Sequence, residues 1–474
     1  MTRHFRMICL VSASLITAGC STLTTDLSDP HLNPAQVTPP GAYALAADVV
    51  AENRDNLDLL LPTTDPAFQS LRSAAEADAP TLAIALARID AAKAQARRAG
   101  ANRLPTIGMD AGVTTSRTNP AAFGGNLPAG ISIDRNQTSY GGNITANWDA
   151  DIFGGLRASA RAAQLQLNAA TADAAAVRLS LIAAIAANVV DWRTLQNRAA
   201  VLEEDLAAAQ NLTQLTGSRA KAGISPGLDQ VQAESLVADV RSRLAALPGE
   251  RAILIGNLVT LTGSDAQTVI ASLAPKATTV APPRPPAAAP SDLLRARPDV
   301  AAAEARLAAA DANIAAAAAE RYPKLTLSGA LGLLSFALGD LFSSDAVIGS
   351  LGTTIAGPLI DFGRVETQID ESKANAREAF AAYRDAVFTA LGEAETAYGQ
   401  LGSIDLEGQA LRRQREFDRD AEYLLAIRYR NGLSDFRDVL NSRRVLNNTR
   451  TQVAIAEGRA RRARIALWQA LGGS

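Results

Sequence analysis

Histidine and cysteine are nearly absent from this chain, and aromatic side chains make up only 4% of it. Of 474 residues only His4 and His31 carry imidazoles and only Cys9 and Cys20 carry thiols. A zinc site or a Ser-His-Asp triad therefore has almost nothing to be built from. No metal, no resident cofactor and no enzymatic activity are expected. A charge excess is missing too: 46 Lys and Arg face 48 Asp and Glu, so nothing draws the chain to phosphate backbones and nucleic acid is not an expected partner. Carboxylate pairs such as Glu203 and Glu204 lie in helical runs without a pocket-forming context, the ordinary setting of a solvated helix face. After the N-terminus, long apolar runs are also lacking. The longest, such as 181–190, stop at a charge, short of the ~18 consecutive residues a spanning helix needs. Any later membrane crossing must then be made of β-strands.

Alanine is what the chain has in plenty. It carries the best helix propensity with the smallest side chain, which favours long helices packed closely together. The expected fold class is mostly α with a small β part.

At the N-terminus, Arg3 and Arg6 precede an apolar run over 7–18 that ends in Ala18, Gly19 and Cys20, the layout of a secretory signal. Leu15, Ile16, Thr17, Ala18, Gly19 and Cys20 resemble the bacterial lipobox, with Thr17 where Leu is usual. The resemblance implies that Cys20 is lipidated and becomes the first mature residue, and that Ser21 permits delivery to the outer membrane. Cys9 leaves with the signal, so no disulfide is expected. The signal peptide spans 1–19, and 20–66, with Pro30, Pro34, Pro39 and Pro40, reads as an extended lipid-anchored arm.

The rest of the chain is one unit written twice. Pro105 and Pro323 match at an offset of 218, Asp151 and Asp361 at 210, and the segments from Arg219 and Arg428 at 209. The first repeat spans 67–272 and the second 291–474, joined by a Pro-rich connector over 273–290 whose composition suits extended chain. Each repeat has a helix ended by proline, two strands, a sharp turn, a very long helix, a tight turn and a returning helix. The spacing predicts a helix over 81–102, strands near 106–118 and 137–149, and in the second repeat strands near 324–336 and 345–358. Runs near 156–222 and 364–431 contain no proline. An uninterrupted helix of such length would extend roughly 100 Å at ~1.5 Å per residue. Leu165, Ala169, Ala172, Ala176, Leu179, Ala183, Ala186 and Val190 follow a heptad seam, echoed by Ala376, Ala379, Tyr383, Ala386 and Ala390.

Gly223 and Gly432 suit left-handed helix caps, Ser225 and Ser434 suit N-caps, and Pro226 suits a first helical position. Arg157 and Arg364 sit where strand passes into helix and are expected to stabilise that bend. Asp438, Asn441 and Arg444, three apart, share a helix face.

Four strands per chain cannot close a membrane barrel without leaving open edges in lipid, so the chain must oligomerise. Two copies would give eight strands and a filled interior, three give twelve and room for a pore. The segment 290–314, which begins PSDLLRARPDV, together with FGR at 362–364, LAIRYRNGLSDFRDVLNSRR at 425–444 and the terminal ALGG at 470–473, resembles the NodT-type lipoproteins of the TolC superfamily. The resemblance runs from the lipobox to the C-terminus. It implies a homotrimer with a twelve-stranded barrel in outer-membrane lipids above a long periplasmic α-helical barrel with an equatorial region. The implied role is the exit duct of a tripartite efflux pump, of resistance-nodulation-division type, passing small molecules outward. Implied partners are a periplasmic adaptor (membrane fusion) protein and an inner-membrane transporter. Gly223, Ile224, Ser225, Gly432, Leu433 and Ser434 would form the adaptor-contact tips, and Asp438, Asn441 and Arg444 would ring the periplasmic gate. Asn441 stands where the family commonly has Asp, and the family's early Trp-rich stretch is replaced by DNLDLLLPTTDPAFQSL. Two alternatives share parts of this reading: a duct of a type I protein secretion system has the same fold, and a coiled-coil protein without a pore would have the same helices.

Overall fold

A computed structural model describes residues 34, 37, 43–46, 54–117, 119, 135–276 and 296–473. The signal peptide, Cys20, the arm's first part and the connector over 277–290 lie outside the described residues. Helices α1 (Pro66–Asp78) and α2 (Pro80–Ala101) lead into strands β1 (Thr106–Arg117) and β2 (Asn136–Ala150). Helix α3 (Gly155–Lys221) is followed by α4 (Gly227–Thr262) and the short α5 (Ala266–Leu273). The second repeat runs α6 (Pro298–Ala319), β3 (Lys324–Ser335), β4 (Val347–Ala356), α7 (Arg364–Arg430) and α8 (Phe436–Ala470). The duplication is metrically close: α3 and α7 are each 67 residues long and start 209 apart, while α2 and α6 are each 22 long and start 218 apart.

The chain divides into two compact units. One comprises 91–168 and 304–382 and contains the strands, which form one antiparallel sheet in the order β1-β2-β3-β4. Its helix starts are pinned by carboxylates. Asp151 accepts from the backbone N–H groups of Leu156 (3.0 Å) and Arg157 (2.8 Å), and Asp361 from those of Gly363 (3.1 Å) and Val365 (2.9 Å). These caps satisfy donors that a helix start leaves open, and they hold the Asp361 carboxyl below the usual range, with the Val365 N–H as the main cause. At the bend expected to rest on Arg157 and Arg364, the Asp151 and Asp361 carboxylates carry the caps by reaching the unpaired amides directly, Arg157 through its own N–H and Arg364 through its charge beside Asp361. Ala317 and Ala318 of α6 pack on Val365 and Ile369 at the start of α7.

The other unit comprises 37–90, 169–303 and 383–474. Averaged over 18 residues, windows in α3 and α4 are as apolar as membrane spans, with mean hydropathies of 1.6 and 1.3. The count of uninterrupted apolar residues misses them, because it treats a single charge as a stop. In α3, Ile185, Ala186 and Val189 are fully buried, so packing against neighbouring helices accounts for their apolarity. Every position of the two heptad seams is at least half-buried, and Leu181, Ile182, Ile185 and Val189 widen the first beyond a narrow stripe. Arg193 of α3 is buried, and each of its five N–H donors has a partner. Nε and Nη2 clasp the Asp65 carboxylate at 2.9 Å each, Nη1 donates to Leu273 O (3.2 Å) and Gln196 Oε1 (3.0 Å), and Nη2 donates to Pro275 O (2.7 Å).

Candidate transport duct

The sheet is two-faced along all four strands. Side chains alternate between faces along a strand, and the register aligns Met109, Ile144, Leu331 and Gly349 across the sheet. Ile107, Val113, Trp148, Leu325, Leu327, Leu351 and Ile355 fall on that same face. The opposite face carries Asp110, Thr114, Asn143, Thr145, Asn147, Thr326, Ser328, Ser350 and Thr354, interrupted by Leu334 and Ile348. On it Asn143 Nδ2 donates to Asp110 Oδ2 at 3.3 Å and Thr326 Oγ1 to Asp149 Oδ1 at 2.7 Å. The apolar face is not a core, since Met109 is 82% and Leu351 88% exposed. The outward face is mostly apolar, broken by Thr353 and, toward one end, by the hydrogen-bonded Thr115 and Thr138, and a sheet of this kind, polar and hydrogen-bonded across its other face, is built to stand between lipid and water. Among the described residues of the chain by itself, the outer edges of β1 and β4 are unpaired.

The two helical turns are built alike. Gly223 and Gly432 have φ of +70° and +72°, a conformation glycine adopts without Cβ strain. Each turn closes two helix carbonyls: Gly223 N–H donates to Ala220 O and Ile224 N–H to Arg219 O, while Gly432 N–H donates to Tyr429 O and Leu433 N–H to Arg428 O. This pair of bonds is the Schellman stop. Ser225 and Ser434 are not N-caps and Pro226 is not a first helical residue. The helices begin one or two residues later, with Pro226 and Asp435 at the cap positions and no side-chain cap bond at either. The residue after each serine, Pro226 or Asp435, is extended and takes the cap position, which moves the helix start along by one residue. Arg219 joins the turns: its guanidinium lies 4.6 Å over the Tyr429 ring and donates to Tyr429 O at 3.2 Å. Ile224 and Leu433 project at the turns, each 67% exposed.

On α8, Asp438, Asn441 and Arg444 are all exposed, while Val439 and Leu440 among them are buried. The structure thus brings the three onto one helix face. The repeat offset of 209 also carries Asp438 onto Asp229, in the first turn of α4. Sequence reasoning missed Asp229, although the duplication was the signal that points to it.

Helix α8 is tied to its neighbours by ion pairs and hydrogen bonds, two of whose members, Asp205 and Thr449, are buried. Arg450 pairs with Asp205 at 2.6 Å and with Glu204, and Arg443 pairs with Glu422 at 2.7 Å. Thr449 donates to Asp418 at 2.7 Å. Asp205 is fully buried, and burial pushes its carboxyl up from the usual range against the opposing pull of Arg450 and Arg443. Charged pairs inside a helical bundle specify which helices align and at what height.

A family model described as outer membrane efflux protein matches residues 71–264 and 289–473, one segment in each repeat. The chain belongs to the outer membrane efflux protein family. It is similar to the pyoverdine export outer membrane protein OpmQ of Pseudomonas putida, 30% identical over 470 residues, covering 99% of this chain and 97% of that protein. It is also similar to Nodulation protein T of Rhizobium leguminosarum bv. viciae, 29% identical over 78% of this chain and 75% of that one. Among solved structures it resembles the outer-membrane channel OprN at 27% identity with a TM-score of 0.83, covering 92% of this chain and 98% of that one. As a family member the chain is an efflux channel protein of the outer membrane that extends into the periplasm, a transport duct and not an enzyme.

Proposed function

We propose that three copies of this chain form the gated exit duct of a tripartite efflux pump of resistance-nodulation-division type, passing small molecules across the periplasm and outer membrane. The observation that carries the reading is the two-faced sheet with its two unpaired edges. Twelve strands satisfy every edge, turn the apolar face to lipid, and leave a polar lumen wide enough for solute. Small-molecule cargo is favoured over secreted polypeptide by the likeness to a protein named for pyoverdine export. The periplasmic adaptor contacts the turns at Gly223, Ile224, Ser225, Gly432, Leu433 and Ser434, where exposed Ile224 and Leu433 offer apolar grip and the glycine stops keep the turns rigid. An inner-membrane transporter supplies the cargo.

Three copies of α8 turn Asp438, Asn441 and Arg444 into rings around the periplasmic entrance. Rings of charged side chains set which ions and solutes pass a constriction. Purified protein in planar bilayers is expected to give discrete conductance steps, and Asp438→Ala, removing three charges at once, to give larger or more frequent openings. Absence of any conductance from membrane-inserted protein in both forms would sink the duct reading, while wild-type behaviour in the variant would remove only Asp438 from the gate.

The mature chain is anchored through lipid on Cys20. Intact-mass measurement of protein extracted from membranes is expected to give a chain starting at Cys20 with added acyl mass, and an unacylated mature chain would refute the anchor.

A further inference from the structure

Inside one chain, the two repeats meet at a seam. Strand β2 of the first repeat pairs with β3 of the second. Below that pairing, the Phe153 ring stacks on Tyr322, with centroids 4.6 Å apart and planes 15° apart. The start of α3 at Gly155 lies so close to the end of α6 that a Cβ there would stand 3.0 Å from Ala319 Cβ.

The duplication has a second seam that one chain cannot complete. The equivalents are fixed by structure: Gly154 and Gly363 are both left-handed, with φ of +79° and +86°, and each stands just before or at the start of a 67-residue helix. Phe153, preceding the first, corresponds to Phe362, preceding the second. Along the other strand set, Tyr322 before Pro323 corresponds to Leu104 before Pro105, and Ala319 to Ala101. Phe362 follows β4 and Leu104 precedes β1, the two opposite edges of the sheet. Phe362 is 97% exposed and Leu104 64%.

Phe362 is also the one described non-glycine residue with positive φ, at +53°. A bulky side chain is strained in that region, and such strain persists where surrounding contacts compensate it. Within one chain an almost wholly exposed ring gains no such compensation.

We propose that Phe362 of one copy packs against Leu104 of the next, so that the seam between copies repeats the Phe153–Tyr322 seam within each. The proposal deepens the trimer reading above and rests on it. The occupant of the exposed Phe362 surface is a second copy of this chain, because the partner it needs is the first-repeat counterpart of Tyr322, and the chain's own Leu104 lies at the far edge. The two seams are unequal. Leucine replaces the tyrosine ring, and Arg364 replaces the close-packed Gly155, so the seam between copies is the looser of the two and the one at which protomers separate.

The test is thiol cross-linking in outer-membrane preparations of the full chain with a short bismaleimide. Phe362→Cys combined with Leu104→Cys is expected to move most of the protein into covalent dimer and trimer bands, and neither single variant to do so. Phe153→Cys with Tyr322→Cys serves as the intrachain reference, expected to remain at monomer mass with its link found by peptide mapping. The mass of the uncross-linked variants in detergent separates the failures. A trimer whose 362/104 pair stays unlinked while the reference pair links would overturn the proposed contact alone. A monomer would overturn the trimer reading beneath it.

Discussion

Arg193→Ala is expected to cost about 3–5 kcal/mol of stability, the loss typical of a buried ion pair deprived of one partner. The side chain leaves behind a carboxylate, Asp65, that is about as buried as itself, with side-chain exposures of 6% and 8%. Asp65 retains its bond from Ala67 N–H at 2.9 Å, which caps α1, but loses both charged donors. Leu273 O and Pro275 O lose theirs as well. Because these groups come from the segment before α1, from α3 and from the end of α5, one guanidinium fastens three separated stretches of chain. Lysine does not substitute: three donors on a single nitrogen cannot match a planar fork with five. Urea unfolding followed by far-ultraviolet circular dichroism would measure the loss, and a change below about 1 kcal/mol, the range of an exposed pair, would show that Arg193 is not the fastener its contacts suggest. Arg193→Met together with Asp65→Leu is expected to recover much of the loss, since it removes both charges and leaves no buried ion alone.

Arg193 illustrates where the sequence is silent. The long helices were legible because proline is absent from them and alanine dense, and the strands because a small-residue alternation recurs at a fixed offset; their bounds fall within a residue or two of expectation at most ends. The left-handed glycines were legible for the same local reason. A pair 128 residues apart, such as Arg193 with Asp65, leaves no local trace, since either residue alone reads as a solvated helix charge. Ser225 and Ser434 failed as caps because the glycine stop and the helix start compete for the same few residues, and only the backbone path decides between them. Phe362 was hidden by its neighbour: the glycine in FGR draws attention as the special position, while the residue before it also takes the left-handed conformation.

Within the sheet, Gly332→Ala is expected to destabilise the barrel by about 1–3 kcal/mol, the usual cost of forcing extra volume into a packed site. Gly332 pairs with Asn143 between β2 and β3. A Cβ at this position would run into Asn143 Oδ1 and Gly142 O, and would stand 2.8 Å from Asn143 Cα. Two of those atoms belong to backbone, so the strands must part for the methyl to fit. Asn143 is also the donor to Asp110, which extends the disturbance to β1. Gly349 provides the internal comparison. It sits on the apolar face, and a Cβ there meets Ala330 O and Leu331 Cδ1 at 3.7 Å each, ordinary contact distance. Gly349→Ala should therefore be near neutral, or slightly favourable through a less flexible unfolded chain. The temperature at which the oligomer dissociates on a gel ranks the two variants directly. Equal temperatures would mean that β2 and β3 can yield at Gly332 without cost, and that glycine is there for some reason other than close approach.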